Sequence, residues 1–328
     1  MRKHLALKTL VILLSISTCA SAQKWVGQQH MLSFSMGWST MLGDLGGSAK
    51  TGNHGLKDFD YQAMAPVYTL GYSFTQNKNT YVGVAFKTDL SYTRFNSSDG
   101  FSEEIMRNQR ALSRVTDVIE LTAGIEFYFL KQTMSAFKKS SFGKKSSFGR
   151  KASDNCKFRS GVISGIPLSM YLILQGGVFW WDCKGKYTDD KWYSLRKLYT
   201  EGQGLLKTRK KPAMIQGSGV LGLGIKRVFT PSFAMKIEAT MHITTTDYLD
   251  DVSTTFFSPK AIYDQVLAET NDEQKAEMAR YFASGNNPDG ASAPGQIRGN
   301  AINRDAFFFV EIGACYVINN QKRSRSRY

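Results

Sequence analysis

Residues 233–243, Phe233-Ala234-Met235-Lys236-Ile237-Glu238-Ala239-Thr240-Met241-His242-Ile243, alternate apolar and polar side chains with period two. Successive strand side chains point to opposite faces, so Phe233, Met235, Ile237, Ala239, Met241 and Ile243 share one face. Lys236, Glu238, Thr240 and His242 share the other. From Asp117 to Leu130 the same spacing sets Ile119, Leu121, Ala123, Ile125, Phe127 and Phe129 against Glu120, Thr122, Gly124 and Glu126. From Tyr81 to Arg94 it sets Val82, Val84, Phe86, Leu90 and Tyr92 against Gly83, Lys87, Asp89, Ser91 and Thr93.

Weaker alternation at Met31–Leu42, Met64–Phe74, Pro167–Trp180, Met214–Val228 and Ala306–Ile318 brings the candidate strands to eight. That is an even number, and most of them exceed the 9 to 11 residues that a tilted strand needs to cross a bilayer. Soluble and membrane barrels both alternate, so the polarity must be decided by other features. Large aromatics gather toward strand ends (Trp38, Tyr92, Phe127, Phe129, Trp180, Trp181, Phe308, Tyr316), as in interfacial girdles. The polar face mixes signs (Lys87, Asp89, Glu120, Glu126, Lys236, Glu238, Glu311), as a paired lumen requires. The expected fold is all-β: a small closed antiparallel transmembrane β-barrel of about eight strands. A lumen of that size is filled by side chains, so porin activity is not expected.

The N-terminus supports export. Arg2, Lys3 and Lys8 precede the apolar run Leu10–Ile16, and Cys19-Ala20-Ser21-Ala22 offers a small-residue cleavage site, so residues 1–22 read as a signal peptide. Ile16-Ser17-Thr18-Cys19 also loosely matches an acylation box, with Thr18 where a smaller residue is usual. The barrel then occupies residues 23–318. Tight turns at Thr75–Asn79 and Thr230–Ser232 alternate with long connections at Gly43–Ala63, Asn96–Thr116, Trp181–Ala213 and Asp247–Asp305. Short turns face the periplasm in such barrels, so both termini are expected there. In the last extracellular loop, 247–305, Ser258 offers an N-cap, Pro259 a first helical position and Gly285 a stop, predicting a helix over Ala261–Phe282.

The net charge of +15 is concentrated in two segments. The turn at 131–166 is periplasmic by strand parity yet long, and Lys131–Arg159 holds nine basic residues against Asp154 alone. It contains the unit KKSSFG twice, at Lys138–Gly143 and Lys144–Gly149. The tail at 319–328 adds four more basic residues without an acid. Such patches attract acidic protein or anionic lipid; an exported chain does not meet nucleic acid. Cys156, Cys183 and Cys315 have neither metal nor disulfide-framework spacing.

Catalytic and metal signals are weak. His242 beside Glu238 could be half of a hydrolase site, but no patterned nucleophile accompanies it, and a lumenal His fits the polar filling. Asp247, Asp250 and Asp251 could offer oxygen ligands to calcium, or accept backbone hydrogen bonds in a turn. Gly217, Gly219, Gly222 and Gly224 alternate within a strand with no helix following, unlike a phosphate loop. No catalytic residue, cofactor, metal or small-molecule substrate is expected.

Several segments, in order along the chain, resemble the PorG-type outer-membrane barrel family of the type IX secretion apparatus. They are LGDLG at Leu42–Gly46, IELTAGIEF at Ile119–Phe127, TEGQG (Thr200, Glu201, Gly202, Gln203, Gly204), TDYLDDVS at Thr246–Ser253 (with Thr246, Asp247, Tyr248, Asp250, Asp251, Ser253) and RGN at Arg298–Asn300. The KKSSFG turn, the basic tail and the helical insertion depart from that pattern. The resemblance implies a non-enzymatic outer-membrane component of protein secretion that holds periplasmic ring subunits, a lipoprotein and its partner. On that reading Lys138, Lys139, Lys144, Lys145, Arg150 and Lys151 dock on an acidic partner. A solvated turn touching lipid headgroups is the other reading of the same charges. A general structural or surface-binding barrel is the alternative function.

Overall fold

The computed structural model describes residues 28–45, 63–76, 83–99, 112–130, 168–230, 232–284, 292–300 and 304–318. The signal peptide, the whole of the basic 131–166 turn with its docking residues, Cys156 and the tail lie outside these. Strands β1 (Gln28–Leu42), β2 (Ala65–Gln76), β3 (Gly83–Ser98), β4 (Ser113–Leu130), β5 (Ser169–Lys186), β7 (Ile215–Thr230), β8 (Phe233–Thr244) and β9 (Ala306–Val317) form an antiparallel meander. Pairing of β1 with β9 and of β4 with β5 closes it into an eight-stranded barrel. A three-residue β6 (Trp192–Ser194) pairs with the end of β5 above the wall.

The alternation sets the faces as read from the sequence. Lys236, Glu238, Thr240 and His242 are buried in the lumen, while Phe233, Met235, Ile237 and Ile243 are exposed on the outer wall. On β4 the exposed outward residues run from Ile119 to Phe129, which at about 3.4 Å per residue and a tilt near 45° makes a band roughly 24 Å tall. That matches the hydrocarbon band of a membrane barrel, and an apolar wall of this extent would not persist in water. At its upper edge Tyr92, Ile119, Trp180 and Ile215 stand side by side in register. The next outward row is charged: Asp117 is 2.6 Å from Lys184 and 3.7 Å from Arg94.

Three features differ from the sequence reading. Trp181 faces inward rather than joining the aromatic girdle, because it follows the outward Trp180; its Nε1 donates to the Ala213 carbonyl at 3.1 Å. The helical insertion is two helices, α1 (Pro259–Thr270) and α2 (Glu273–Ser284), rather than one. Asn271 at φ 50 ends α1 and Asp272 caps α2, its carboxylate accepting from Lys275 N, while Ser258 caps α1 as expected. The interior is also zoned rather than polar throughout. Toward the long-loop end Phe95, Val118, Phe179, Trp181, Phe307 and Phe309 pack with Leu195, Leu198, Leu249 and helix residues Ile262, Val266 and Phe282 into one apolar core. β3, β4 and β5 outrun the outer band there, and the helices roof the space they enclose.

Inward glycines let long side chains cross the lumen. Tyr171, Gly224 and Glu238 lie in one register row, and the Tyr171 ring passes over Gly224 so that its hydroxyl donates to Glu238 at 2.7 Å. A Cβ at 224 would be driven into that ring. Gly224→Ala is therefore expected to displace Tyr171 and destabilise the barrel by about 1–3 kcal/mol. Urea unfolding in detergent micelles reads this as a lowered midpoint.

Candidate functional site

Two buried polar assemblies hold most of the residues singled out in the sequence. The first fills the lumen. Lys87 Nζ lies 2.7 Å from Glu238, 3.4 Å from Asp89 and 3.9 Å from Glu126. Lys236 binds the other Glu238 oxygen at 2.8 Å, and Lys226 donates to Tyr128, whose hydroxyl donates to Glu126. Gln175 crosses Gly124 to bond Asp89 at 2.9 Å. Glu120 accepts from Ser218 on one oxygen, and its other oxygen lies 2.7 Å from His242 Nδ1. His242 Nε2 lies 2.9 Å from Thr240 Oγ1, and the ring stacks on Phe307.

This string of Glu120, His242 and Thr240 has the hydrogen-bond order of a base and its orienting acid, yet all three are buried. The gap lined by Lys87, Asp89, Glu126, Lys226 and Lys236 leaves no room for a water-sized molecule. Each of these side chains has an ionic or hydrogen-bonding partner, which is what burial of charge demands.

The second assembly sits at the long-loop end and was not foreseen as one site. Beyond β8 the chain turns at Thr246–Asp251 against Asp305, whose carboxylate accepts from Leu249 N at 2.7 Å. Asp250 accepts from Val252 N on one oxygen and from Leu45 N on the other, which fixes the first long connection to the last. Glu201 accepts from Ser253 N, Thr254 N and Thr254 Oγ1 at 2.9–3.1 Å. Arg298 reaches Glu201 and Asp251, each at 3.4 Å, and its backbone N donates to Thr254 O. Asn300 N donates to Asp44 at 2.6 Å. Within the 200–204 turn, Gln203 accepts from Glu201 N and donates to Thr200. Gly202 and Gly204 take φ of 73° and 85°, where a side chain would strain the backbone.

Four of the five resemblance segments thus meet in one clasp, through residues 42–45, 200–204, 246–253 and 298–300. The fifth is strand β4. Sequence reading missed Arg114, buried beside Asp251 and Arg298, as well as Asp99 and Asp305. None lies in a local pattern that marks it, and only the fold joins them. The glycines are needed here too: a Cβ at Gly43 would press on the Asp250 carboxylate, and one at Gly299 on Asp44 and Ser253 N.

Asp250 is taken up by backbone N–H groups and Asp251 by Arg298, which is the turn-stabilising reading of this acidic cluster. No group of three His, Cys, Asp or Glu side chains among the described residues converges as for a metal. Asp247 differs from its neighbours. Partial burial, with Asp44 and Glu201 nearby, pushes its carboxyl up to about 7 against the favourable contact with Ser253. Burial and Asp250 likewise hold Asp305 well above the usual carboxylate range. Cys183 and Cys315 are buried thiols.

Removing Arg298 leaves Glu201 and Asp251 buried without their cation, so Arg298→Ala should cost about 3–5 kcal/mol. The loss is expected in the clasp: limited proteolysis should cut between residues 187 and 305 while the strand circular dichroism persists. The Asp247 carboxyl is raised in the folded state, so the stability that it lends is present below about pH 4 and is lost as pH rises through about 7. Asp247→Asn should flatten the pH dependence of protease resistance over that window and leave the variant the more resistant at pH 8.

No protein-family model matches the chain, and no curated protein matches it. Among solved structures it is similar to Neisserial surface protein A, at 6% identity over 88% of this chain and 96% of that one, with a TM-score of 0.32. It is also similar to Ail, the attachment invasion locus protein of Yersinia pestis, solved in complex with the heparin analogue sucrose octasulfate. That likeness has 12% identity over 88% of this chain and 99% of the other, with a TM-score of 0.32.

Proposed function

We propose that this protein is a non-catalytic outer-membrane barrel that serves protein secretion of the type IX kind, holding periplasmic ring subunits beneath the membrane. The observation that carries the reading is the clasp. Segments as far apart as Leu45 and Asp250, or Glu201 and Arg298, picked out by resemblance to PorG-type barrels, are bonded to one another through buried contacts, with Asp44 and Asn300 joined at their exposed edge. Chance matches scattered along a chain have no reason to meet. A filled lumen suits an anchor rather than a conduit. With the long loops outward, in the ordinary orientation, both termini and the 131–166 turn face the periplasm. There Lys138, Lys139, Lys144, Lys145, Arg150 and Lys151 offer a cationic surface to an acidic lipoprotein or its partner subunit.

A second reading is favoured by the roof of α1 and α2 at the long-loop side. Tyr281 on the roof, and Trp192 and Ile297 (78%) in the described loops, are exposed there. Such a surface would let the barrel work by binding outside the cell.

Deletion distinguishes the two. Loss of secreted cargo with an intact envelope is the expected result, whereas normal secretion with impaired surface attachment would favour the second. Reversing the six basic residues to Glu should reduce recovery of ring subunits with the purified barrel about ten-fold or more, given six charges near an acidic surface. Unchanged recovery would remove the docking surface from the proposal.

A further inference from the structure

Most strand glycines have a reason to lack a side chain. At Gly124, Gly222 and Gly224 an added Cβ would collide with a neighbouring strand or a crossing side chain. Gly176 on β5 and Gly219 on β7 are different. They are paired in register and both face outward; a Cβ at Gly219 would meet nothing within 4 Å, and at Gly176 only the Ser218 carbonyl at 4.0 Å. Glycine weakens a strand, and its recurrence where packing does not require it marks close approach by something outside the chain. Here the two glycines floor a groove of about 490 Å³, walled by Ile125, Leu174, Leu221 and Ile243 within the lipid-facing band.

The head of the same strand carries the complementary charge. β7 begins at Ile215, on the upper edge of the band, and is preceded by Lys207-Thr208-Arg209-Lys210-Lys211. The intervening residues are pinned along β5: Trp181 N donates to Met214 O, Trp181 Nε1 to Ala213 O and Arg196 Nε to Pro212 O. Lys210 is thus at most about 18 Å of chain from the band edge. Lys207 and Lys210 are exposed, with no acidic partner among the described residues.

From these two features we infer that the β5–β7 wall holds one anionic lipid. Its acyl chain lies in the groove over Gly176 and Gly219, and its phosphate sits at Lys207 and Lys210 in the leaflet at the long-loop end. A slender apolar occupant fits a groove floored by glycine, and an anionic headgroup gains about five-fold in affinity from each lysine near the surface. The wall of a second barrel would be broad, and would gain nothing from the lysines. The inference rests on the membrane reading of the outer wall and is independent of the secretion role.

Native mass spectrometry of the full chain in a zwitterionic detergent, titrated with phosphatidylglycerol, tests it. Gly219→Leu fills the groove without a clash, and Lys207→Gln with Lys210→Gln removes the charge. One phosphatidylglycerol should be retained by the parent, and each variant should bind it about ten-fold or more weakly while phosphatidylcholine binds none of them tightly. Equal retention by parent and both variants would overturn the site. Loss with the lysine changes alone would reduce it to headgroup attraction and overturn the groove. A dimer that Gly219→Leu dissociates would assign the groove to a second copy instead. A chain that stays monomeric in buffer before any detergent is added would overturn the membrane reading beneath it, and is scored separately.

Discussion

The constraint on which this molecule turns is that the gap among its lumenal lysines and carboxylates has no room for a water-sized molecule, so these charges must meet one another. Lys87 satisfies three carboxylates drawn from β3, β4 and β8, and Glu238 is in turn shared by Lys87, Lys236 and Tyr171. A one-residue slip in any of these strands would turn its charges into lipid and its aliphatic side chains into the lumen. The network therefore specifies register among β3, β4, β5, β7 and β8. Its net contribution to stability is small, since desolvation offsets most of the attraction, and its worth lies in excluding alternatives.

The same logic appears at the long-loop end in different form. Glu201 and Arg298 are fully buried, and besides their ion pair Glu201 accepts from two backbone N–H groups and a hydroxyl of the 246–255 segment. Backbone that leaves a barrel has lost its ladder partners and must find others. The clasp supplies them, and so lets a long connection hold one conformation over an apolar core instead of spreading across the surface.

How much of this was legible in the sequence follows from the range of the interactions. Strand alternation is local, so the eight wall strands, the lumenal set Glu120, Glu126, Lys236, Glu238 and His242, and the outward apolar band could all be read directly. The Ser258 cap is local as well. Trp181 was misplaced because aromatic clustering was read without parity, which assigns Trp180 and Trp181 to opposite faces. The break at Asn271 was missed because the surrounding residues are strong helix formers and only Asn-Asp interrupts them. Resemblance picked out Glu201, Asp250 and Arg298 without showing that they touch. Arg114 and Asp305 carried no signal, since their partners come from distant loops.

The zoning of the interior links closure to roofing. Phe307 and Phe309 belong to the final strand, the one that zips to β1, and they also join the apolar core that holds the helix residues Ile262, Val266 and Phe282. The helical hairpin precedes that strand in the chain and already has partners that come earlier still, with Phe282 against Gly185, Leu195 and Arg114. Sealing the cylinder therefore completes the floor beneath a lid that earlier strands can seat, and a chain caught before that step presents an open seam and a core short of Phe307 and Phe309.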